Sequence, residues 1–228
     1  MSNDSFARVL LPADLTVFDR YAFRWAQRFH NRLGSQVTLL YANEMHYQRS
    51  LVERALRSHA AEFLPNIPVQ TRVDEGLAAR AILHAADEMD ADLVIMGTHA
   101  RRGLKRALLG SVTQRVLQRI ERPLLTVSPR QEPDEAEPVR TIICSRPTNE
   151  VLAAASRLGD AFDARLIVLE GNEAVAAAKR AKASLIITGA GDHGDLIREA
   201  TCAVLTVGLL KGAFTTEAQR HRERVPSS

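Results

Sequence analysis

The sequence predicts an α/β protein built from two tandem open parallel sheets of Rossmann-like type, the second of them truncated. Short apolar stretches alternate with amphipathic ones, the apolar stretches are unbroken, and the pattern restarts after residue 138. Unbroken apolar strands are typical of parallel sheets that helices cover on both faces. The strands of this chain are therefore expected to be buried in the middle layer of each unit.

Bulk composition indicates a globular protein. Hydrophobic residues make up 46% of the 228 residues, and the net charge of +3 is too mild to favour a nucleic-acid partner. No apolar run approaches the ~20 residues of a membrane span, and the N-terminus lacks the features of a signal peptide. We therefore expect a cytoplasmic protein with no membrane segment. Cys144 and Cys202 lie in apolar runs and are expected to be reduced, buried thiols.

The elements of the first half follow in order. The run Arg8-Val9-Leu10-Leu11 predicts a strand, and Thr16, with Asp19 three residues later, is expected to cap the next helix. Apolar residues at helical spacing continue to Leu33, and Gly34 ends the helix. Further strands are expected at 37–41, 69–73, 92–96 and 124–128, and further helices at 50–63, 77–89 and 111–120.

The segment 92–112, DLVIMGTHARRGLKRALLGSV, carries the most specific pattern. Its apolar run stops at Gly97, a basic loop follows, and Gly110-Ser111 open an amphipathic run. Backbone N–H groups at a helix N-terminus attract anions, and glycine allows an anion to approach closely. The segment resembles the nucleotide-binding signature of the universal stress protein family, Gly-x2-Gly-x9-Gly-Ser/Thr. Three of the four positions match, and Ala100 stands where the middle glycine is expected.

The resemblance implies a universal stress protein fold that binds ATP or a related adenine nucleotide, with Mg²⁺ allowed as a counter-ion. In open parallel sheets ligands bind beyond the carboxyl ends of the strands. By the resemblance, Asp14 would accept hydrogen bonds from adenine or ribose, Ala42 and Met96 would line the adenine slot, and the later loop would hold phosphates. The implied site comprises Pro12, Ala13, Asp14, Ala42, Met96, Gly97, His99, Ala100, Arg101, Gly110, Ser111 and Val112, with no catalytic or metal-binding residue.

Several of these residues also have a purely structural interpretation. Asp14 suits a turn before a helix, Met96 suits the core, and Ser111 is a good N-cap with or without a ligand. His99 and Arg101 suit a solvated loop. Ala100 costs roughly 1–2 kcal/mol if the backbone there is left-handed, and otherwise leaves its N–H available for binding.

The second half repeats the first in reduced form. The stretch RVLLPADLT (8–16) aligns with RTIICSRPT (140–148), DLVIMGTH (92–99) with SLIITGAG (184–191), and RPLLTVSP (122–129) with CAVLTVGL (202–209). We therefore expect domains at 1–129 and 139–211. The acidic, proline-bearing stretch 130–138 is the expected linker, and 212–228 is a C-terminal tail.

The second copy lacks two parts of the plan. Asp14 and Gly97 lie 83 positions apart, whereas Arg146 and Gly189, their aligned counterparts, lie 43 apart, so a helix and a strand are missing. The loop after the strand is also shorter, and no Gly-Ser pair follows it. The second half is therefore expected to bind no nucleotide and to pair its last strand, 204–208, with 124–128.

Three functions remain compatible with the sequence. The first is a nucleotide-binding regulatory protein of the stress response, the second is a protein-interaction module of the same fold without a nucleotide, and the third is a slow ATPase. Catalysis has little support, because paired carboxylates and clustered metal ligands are missing around the loop. An unidentified protein partner and a homodimer are both compatible with the sequence.

Overall fold

The computed structural model describes residues 6–98, 109–128, 138–189 and 193–208. Within these ranges nine strands and seven helices alternate along the chain. The strands are β1 Arg8–Ala13, β2 Gln36–Asn43, β3 Val69–Glu75, β4 Leu93–Gly97, β5 Leu124–Val127, β6 Thr141–Ser145, β7 Arg165–Leu169, β8 Leu185–Thr188 and β9 Ala203–Thr206. The helices are α1 Asp19–Leu33, α2 Arg49–Phe63, α3 Ala78–Glu88, α4 Ser111–Leu117, α5 Asn149–Phe162, α6 Ala174–Ala181 and α7 Gly194–Glu199. The predicted elements of the first half are thus confirmed, with bounds shifted by a few residues.

All nine strands form one sheet in the order β3-β2-β1-β4-β5-β9-β8-β6-β7. Every neighbouring pair is parallel except β5 and β9, which join the two halves in antiparallel fashion. The expected pairing of the last strand of each half is therefore confirmed, with Leu125 opposite Leu205. The linker and the tail fall almost entirely outside the described residues.

Two hydrophobic clusters cover the two faces of this sheet. One face carries α1, α2 and α5, and its cluster contains Val9, Leu11, Leu39 and Ile142. The other face carries α3, α4 and α6, with Leu10 and Ile143 among its buried residues. Both faces of the strands are buried, which explains why the strand sequences are unbroken apolar runs.

Helix α1 begins later than the sequence predicts. Its first residue is Asp19, and Phe18 holds the N-cap position without a side-chain cap. The expected capping role of Thr16 is therefore wrong. The Thr16 hydroxyl instead accepts a hydrogen bond from the Phe18 N–H at 3.3 Å, as part of a turn that precedes the helix. At the other end Gly34 has φ 69°, the left-handed conformation that glycine adopts without strain, and it closes the helix as expected.

The second half has the same order of elements as the first but lacks counterparts of α2 and β3 within its described residues. Its strand order β7-β6-β8-β9 matches β2-β1-β4-β5. The prediction that the second half lacks one helix and one strand is therefore confirmed for its described residues.

The strand register corrects one of the repeat alignments. Val9 pairs with Leu93, and Ile142 pairs with Leu185, the residue aligned with Leu93. Val9 therefore matches Ile142, and the alignment of Arg8 with Arg140 is wrong by one residue. A slip of one residue moves every side chain of a strand to the opposite face. In the corrected register Asp14 corresponds to Pro147 rather than to Arg146.

The two halves meet about a local two-fold axis. Leu125 and Leu205 hold equivalent positions and face each other across the β5–β9 pair. On the α1–α5 face, Phe29 and Phe162 each lie 20 positions after their matched strand residues, Val9 and Ile142. Their rings touch edge to face with centroids 5.9 Å apart. Contacts between equivalent residues are the mark of an isologous interface, here formed within a single chain.

Candidate functional site

The site implied by the sequence lies at the carboxyl edge of the first half. Strand β1 lies between β2 and β4, so the ends of these three strands are neighbours at that edge. Five of the implied residues are brought together there, at the strand ends: Pro12, Ala13, Ala42, Met96 and Gly97. Met96 is only 5% exposed and belongs to the core cluster, so its expected structural role is confirmed.

Asp14 follows β1 and is exposed at this edge. Its carboxylate Oδ1 accepts hydrogen bonds from the Thr16 N–H at 3.1 Å and the Thr16 hydroxyl at 2.7 Å. This is an Asx turn, so the expected turn-forming role of Asp14 is present in the structure. The turn fixes the position of the Asp14 carboxylate at the carboxyl edge of the first half.

A buried hydrogen bond between Asp19 and His59 supports the backbone of this turn. Asp19 accepts a hydrogen bond from the Asp14 N–H, with its Oδ2 at 3.2 Å. The same Oδ2 lies 2.9 Å from Nε2 of His59, which belongs to the neighbouring helix α2 in the same layer. An ionised carboxylate only accepts hydrogen bonds, so Nε2 of the imidazole is the protonated nitrogen. Asp19 is 5% exposed, and His59 is enclosed by the rings of Phe23 and Phe63.

Burial governs the charge of His59. It lowers the pKa of the imidazole, and the carboxylates of Glu62 and Asp14 offset part of this effect. At neutral pH the imidazole is therefore neutral, and its Nε2–H donates to Asp19. Asp19 and His59 lie 40 residues apart in the sequence. No local spacing could have revealed this pair.

A second polar contact set shapes the loop after β2. The side chain of Asn43 is buried and donates from Nδ2 to the Tyr47 carbonyl and to Glu75 Oε1, both at 2.9 Å. Its Oδ1 accepts from the Tyr47 N–H at 2.9 Å. Asn43 thus joins the ends of β2 and β3 and holds the loop beside Ala42 in one conformation. Sequence analysis did not assign it this role.

The structure describes only part of the loop that is expected to hold the phosphates. His99, Ala100 and Arg101 lie outside the described residues, so their expected roles stay predictions. Strand β4 ends at Gly97, where an added Cβ would meet no atom of the described residues within 4 Å. No described residue therefore covers this backbone.

Helix α4 begins at Ser111, the first residue of the expected range, and ends at Leu117. Gly110 holds the N-cap position with φ −58° and ψ 144°, and Ser111 is the first helical residue. The expectation that Ser111 caps the helix is therefore wrong. Val112 packs partly against the core, and the hydroxyl of Thr113 donates to the Gly97 carbonyl at 3.2 Å, which ties α4 to the end of β4.

Side chains of the second half lie at its matching strand ends. His193 corresponds to Thr113, because the β5–β9 alignment places it 80 positions later. Its ring is 4% exposed and hydrogen-bonds the carbonyl of Gly189, the counterpart of Gly97. On the neighbouring strand end Nε of Arg146 donates to Asn172 Oδ1 at 3.0 Å.

No group of three or more His, Cys, Asp or Glu side chains among the described residues is arranged to hold a metal ion. None of the described helices combines the length and the apolar character needed to cross a membrane.

The chain is similar in sequence to known proteins. The model of the Universal stress protein family matches residues 5–128. One universal stress protein of Methanocaldococcus jannaschii is 40% identical over 67 residues, which are 29% of this chain and 39% of that relative. A second from the same organism is 28% identical over 101 residues, covering 44% of this chain and 56% of the relative. These matches thus span less than two thirds of the relatives' own length.

Solved structures extend the likeness of fold to both halves. The crystal structure of a universal stress protein from Archaeoglobus fulgidus superposes with a TM-score of 0.67. The superposition covers 92% of this chain and 100% of the other at 14% identity. A similarity at this level of identity concerns the fold, and here it includes the paired arrangement of the two halves.

Proposed function

The chain belongs to the universal stress protein family, and from this premise we propose that its first half binds an adenine nucleotide, with ATP as the leading candidate, in a regulatory role in the stress response. The observation that carries the proposal is the backbone at Gly97, the first glycine of the signature, which no described residue covers and which lies near the ends of β1 and β2. Only glycine gives a phosphate such close access to backbone N–H groups.

The residues of the edge suit the parts of a nucleotide. Asp14, held in place by Asp19, offers a carboxylate to the ribose or adenine N–H and O–H groups. Half-buried Ala42 and Pro12 offer small, apolar surfaces to the base. Backbone N–H groups near Gly110 and Ser111, together with the basic loop that precedes them, would neutralise phosphate charge. When Mg²⁺ accompanies the nucleotide, the phosphates supply its ligands.

Nucleotide binding is proposed for the first half alone. Pro147, which stands in the place of Asp14, offers neither a carboxylate nor an N–H group. The buried ring of His193 lies against the end of β8, and the loop that would hold phosphates is shorter. The second half therefore serves as a structural partner through the β5–β9 pair.

Matched substitutions at the two strand ends test this proposal. In calorimetric titrations Gly97→Asp is expected to abolish ATP binding, because the new carboxylate would enter the open space and repel phosphate. Gly189→Asp makes the same change at the counterpart, where a Cβ meets its nearest atom at 3.6 Å, and is expected to leave affinity unchanged. Absence of binding by the unmodified protein at millimolar ATP would favour an interaction module without nucleotide. Ala100→Gly, which completes the signature, is expected to tighten binding or leave it unchanged.

A further inference from the structure

The missing α2 and β3 leave a surface of the second half uncovered. Val168 of β7 is 48% exposed, whereas Leu39, its counterpart on β2, is completely buried. Likewise Leu152 of α5 is 38% exposed, whereas Asp19 at the matching place on α1 is 5% exposed. These two are the large apolar side chains of the second half that remain exposed among the described residues. Both lie on the α5 face of the sheet.

The first half shows what normally covers this position. Strand β3 pairs with β2 over seven positions, from Val37–Val69 to Asn43–Glu75. Helix α2 packs above that pair through Val52, Leu56 and Ala60. Among the described residues of the second half, no strand follows β7 in the sheet and no helix takes the place of α2. The backbone of β7 therefore has a row of N–H and C=O groups without strand partners in the described chain.

The two outer edges of the sheet differ in charge. Strand β3, VQTRVDE, carries Arg72 and Asp74 in its interior, and Arg72 also pairs with Glu88 of α3. Charges of this kind protect an edge strand from pairing with another chain. Strand β7, RLIVL, carries no charge between Arg165 and Glu170. The β7 edge is thus the one suited to accept another strand.

We propose that the β7 edge pairs antiparallel with the β7 edge of a second copy of this chain, about a two-fold axis. Exposed Arg165 and Glu170 stand at opposite ends of the strand. Antiparallel pairing brings the Arg165 end of each copy near the Glu170 end of the other, so unlike charges attract over a short distance although the two side chains leave opposite faces of the sheet, whereas parallel pairing would bring like charges together. A pairing centred on Ile167 places Leu166 of each copy opposite Val168 of the other, on the α5 face, where their apolar surfaces cover one another.

The chain already joins its two halves in this manner. Strands β5 and β9 pair antiparallel about a local two-fold axis, and α1 and α5 contact each other above them. Pairing at the β7 edge would extend the same sheet through a second antiparallel contact about a two-fold axis. A two-fold contact also closes on itself, whereas pairing of β7 with the β3 edge of another copy would build an open filament.

Sedimentation analysis of the full chain over a concentration series tests the proposal. Two short strands make a small interface, so a weak dimer is expected, with monomer at low and dimer at high micromolar concentration. Val168→Lys places two lysines at the contact and is expected to raise the dimer Kd by about 10-fold or more. Val17→Lys makes the same change at a valine that is 59% exposed in the first half, and is expected to leave the Kd unchanged. Circular dichroism confirms that both variants keep the fold.

A charge exchange tests the antiparallel arrangement. Arg165→Glu and Glu170→Arg are each expected to weaken the dimer several-fold, and the double variant is expected to restore it. A chain that stays monomeric at every concentration would overturn the proposal, as would a dimer indifferent to Val168→Lys. A chain that dimerises only after residues 212–228 are removed would assign the β7 edge to its own tail and would also overturn it.

Discussion

The turn after β1 and the turn after β6 occupy matching places in the two halves, at opposite edges of a single sheet, and they are built from different residues. In the first half the Asp14 N–H is held by Asp19, and Asp19 is held by His59 of α2. In the second half Pro147 has no N–H to hold, and Leu152 stands where Asp19 stands. The counterpart of α2, which would carry the histidine, is missing from the described residues. The absence of a helix that corresponds to α2 thus goes together with the absence of this support for the turn after β6.

The carboxyl ends of β4 and β8 also differ, in the side chain that contacts each of them. The small hydroxyl of Thr113 donates a hydrogen bond to the Gly97 carbonyl, and no described residue lies within 4 Å of a Cβ added at this glycine. The larger ring of His193 hydrogen-bonds the Gly189 carbonyl, and His193 is buried there. Both halves keep the β5–β9 pair that joins them.

The largest difference between the halves is expected in matched truncations of β2 and β7. Leu39→Ala removes a fully buried side chain beneath α2 and is expected to lower the free energy of unfolding by about 2–5 kcal/mol. Val168→Ala removes an exposed one and is expected to change it by less than about 0.5 kcal/mol. Urea denaturation at low protein concentration measures both. Equal costs would mean that β7 is covered as β2 is.

The contact between the halves should appear as a coupling energy. Phe29→Leu and Phe162→Leu each remove one ring of the edge-to-face pair, and the double-mutant cycle is expected to give a coupling of about 0.5–1.5 kcal/mol. As a control, Phe162→Leu combined with Phe63→Leu, whose ring packs on Phe23 and His59, should be additive. Additive effects for Phe29 and Phe162 would show that the halves unfold independently.

The Asp19–His59 pair predicts a pH dependence that belongs to the first half. Because burial lowers the pKa of His59 below its ordinary value of 6.5, the unfolded chain binds a proton more readily than the folded one. Stability is therefore fully present above pH 6.5 and falls as the pH drops below it toward the lower folded pKa. His59→Gln keeps an N–H donor for Asp19 but does not titrate, so its stability should fall less over this range. Denaturation curves of both proteins at several pH values measure the difference.

The smallest effect is expected at the two cysteines of the second half. Cys144 and Cys202 are free and buried, as expected from the sequence. Burial raises the pKa of both thiols, that of Cys202 to about 12, so neither forms a reactive thiolate near neutral pH. A thiol reagent should therefore label neither residue in the native protein, and both after denaturation. Labelling that precedes global unfolding would show that the second half opens on its own.

Much of the fold could be predicted from the sequence because its signals are local. Unbroken apolar strands, helical spacing up to Gly34 and the recurrence of similar stretches indicated a repeated parallel sheet, and the shortened second copy indicated the loss of α2 and β3. The register of β1 against β6 could not be fixed in this way. Both faces of these strands are buried, so no polar alternation distinguishes one face from the other.

The candidate site was predictable only in outline. The strand ends and the glycines follow from the order of elements and the signature. The support of Asp14 does not, because Asp19 and His59 lie 40 residues apart and meet only through the packing of α1 against α2. The same holds for Asn43, whose partners Tyr47 and Glu75 come from two different segments. Long-range polar contacts leave no local pattern in a single sequence.

The central claim is that one chain holds one nucleotide, in the first half. Native mass spectrometry of the full chain titrated with ATP measures the number of bound molecules directly. The account predicts one ATP per chain at saturation, lost in Gly97→Asp and kept in Gly189→Asp. Two molecules per chain, or one that persists in Gly97→Asp and disappears in Gly189→Asp, would contradict it.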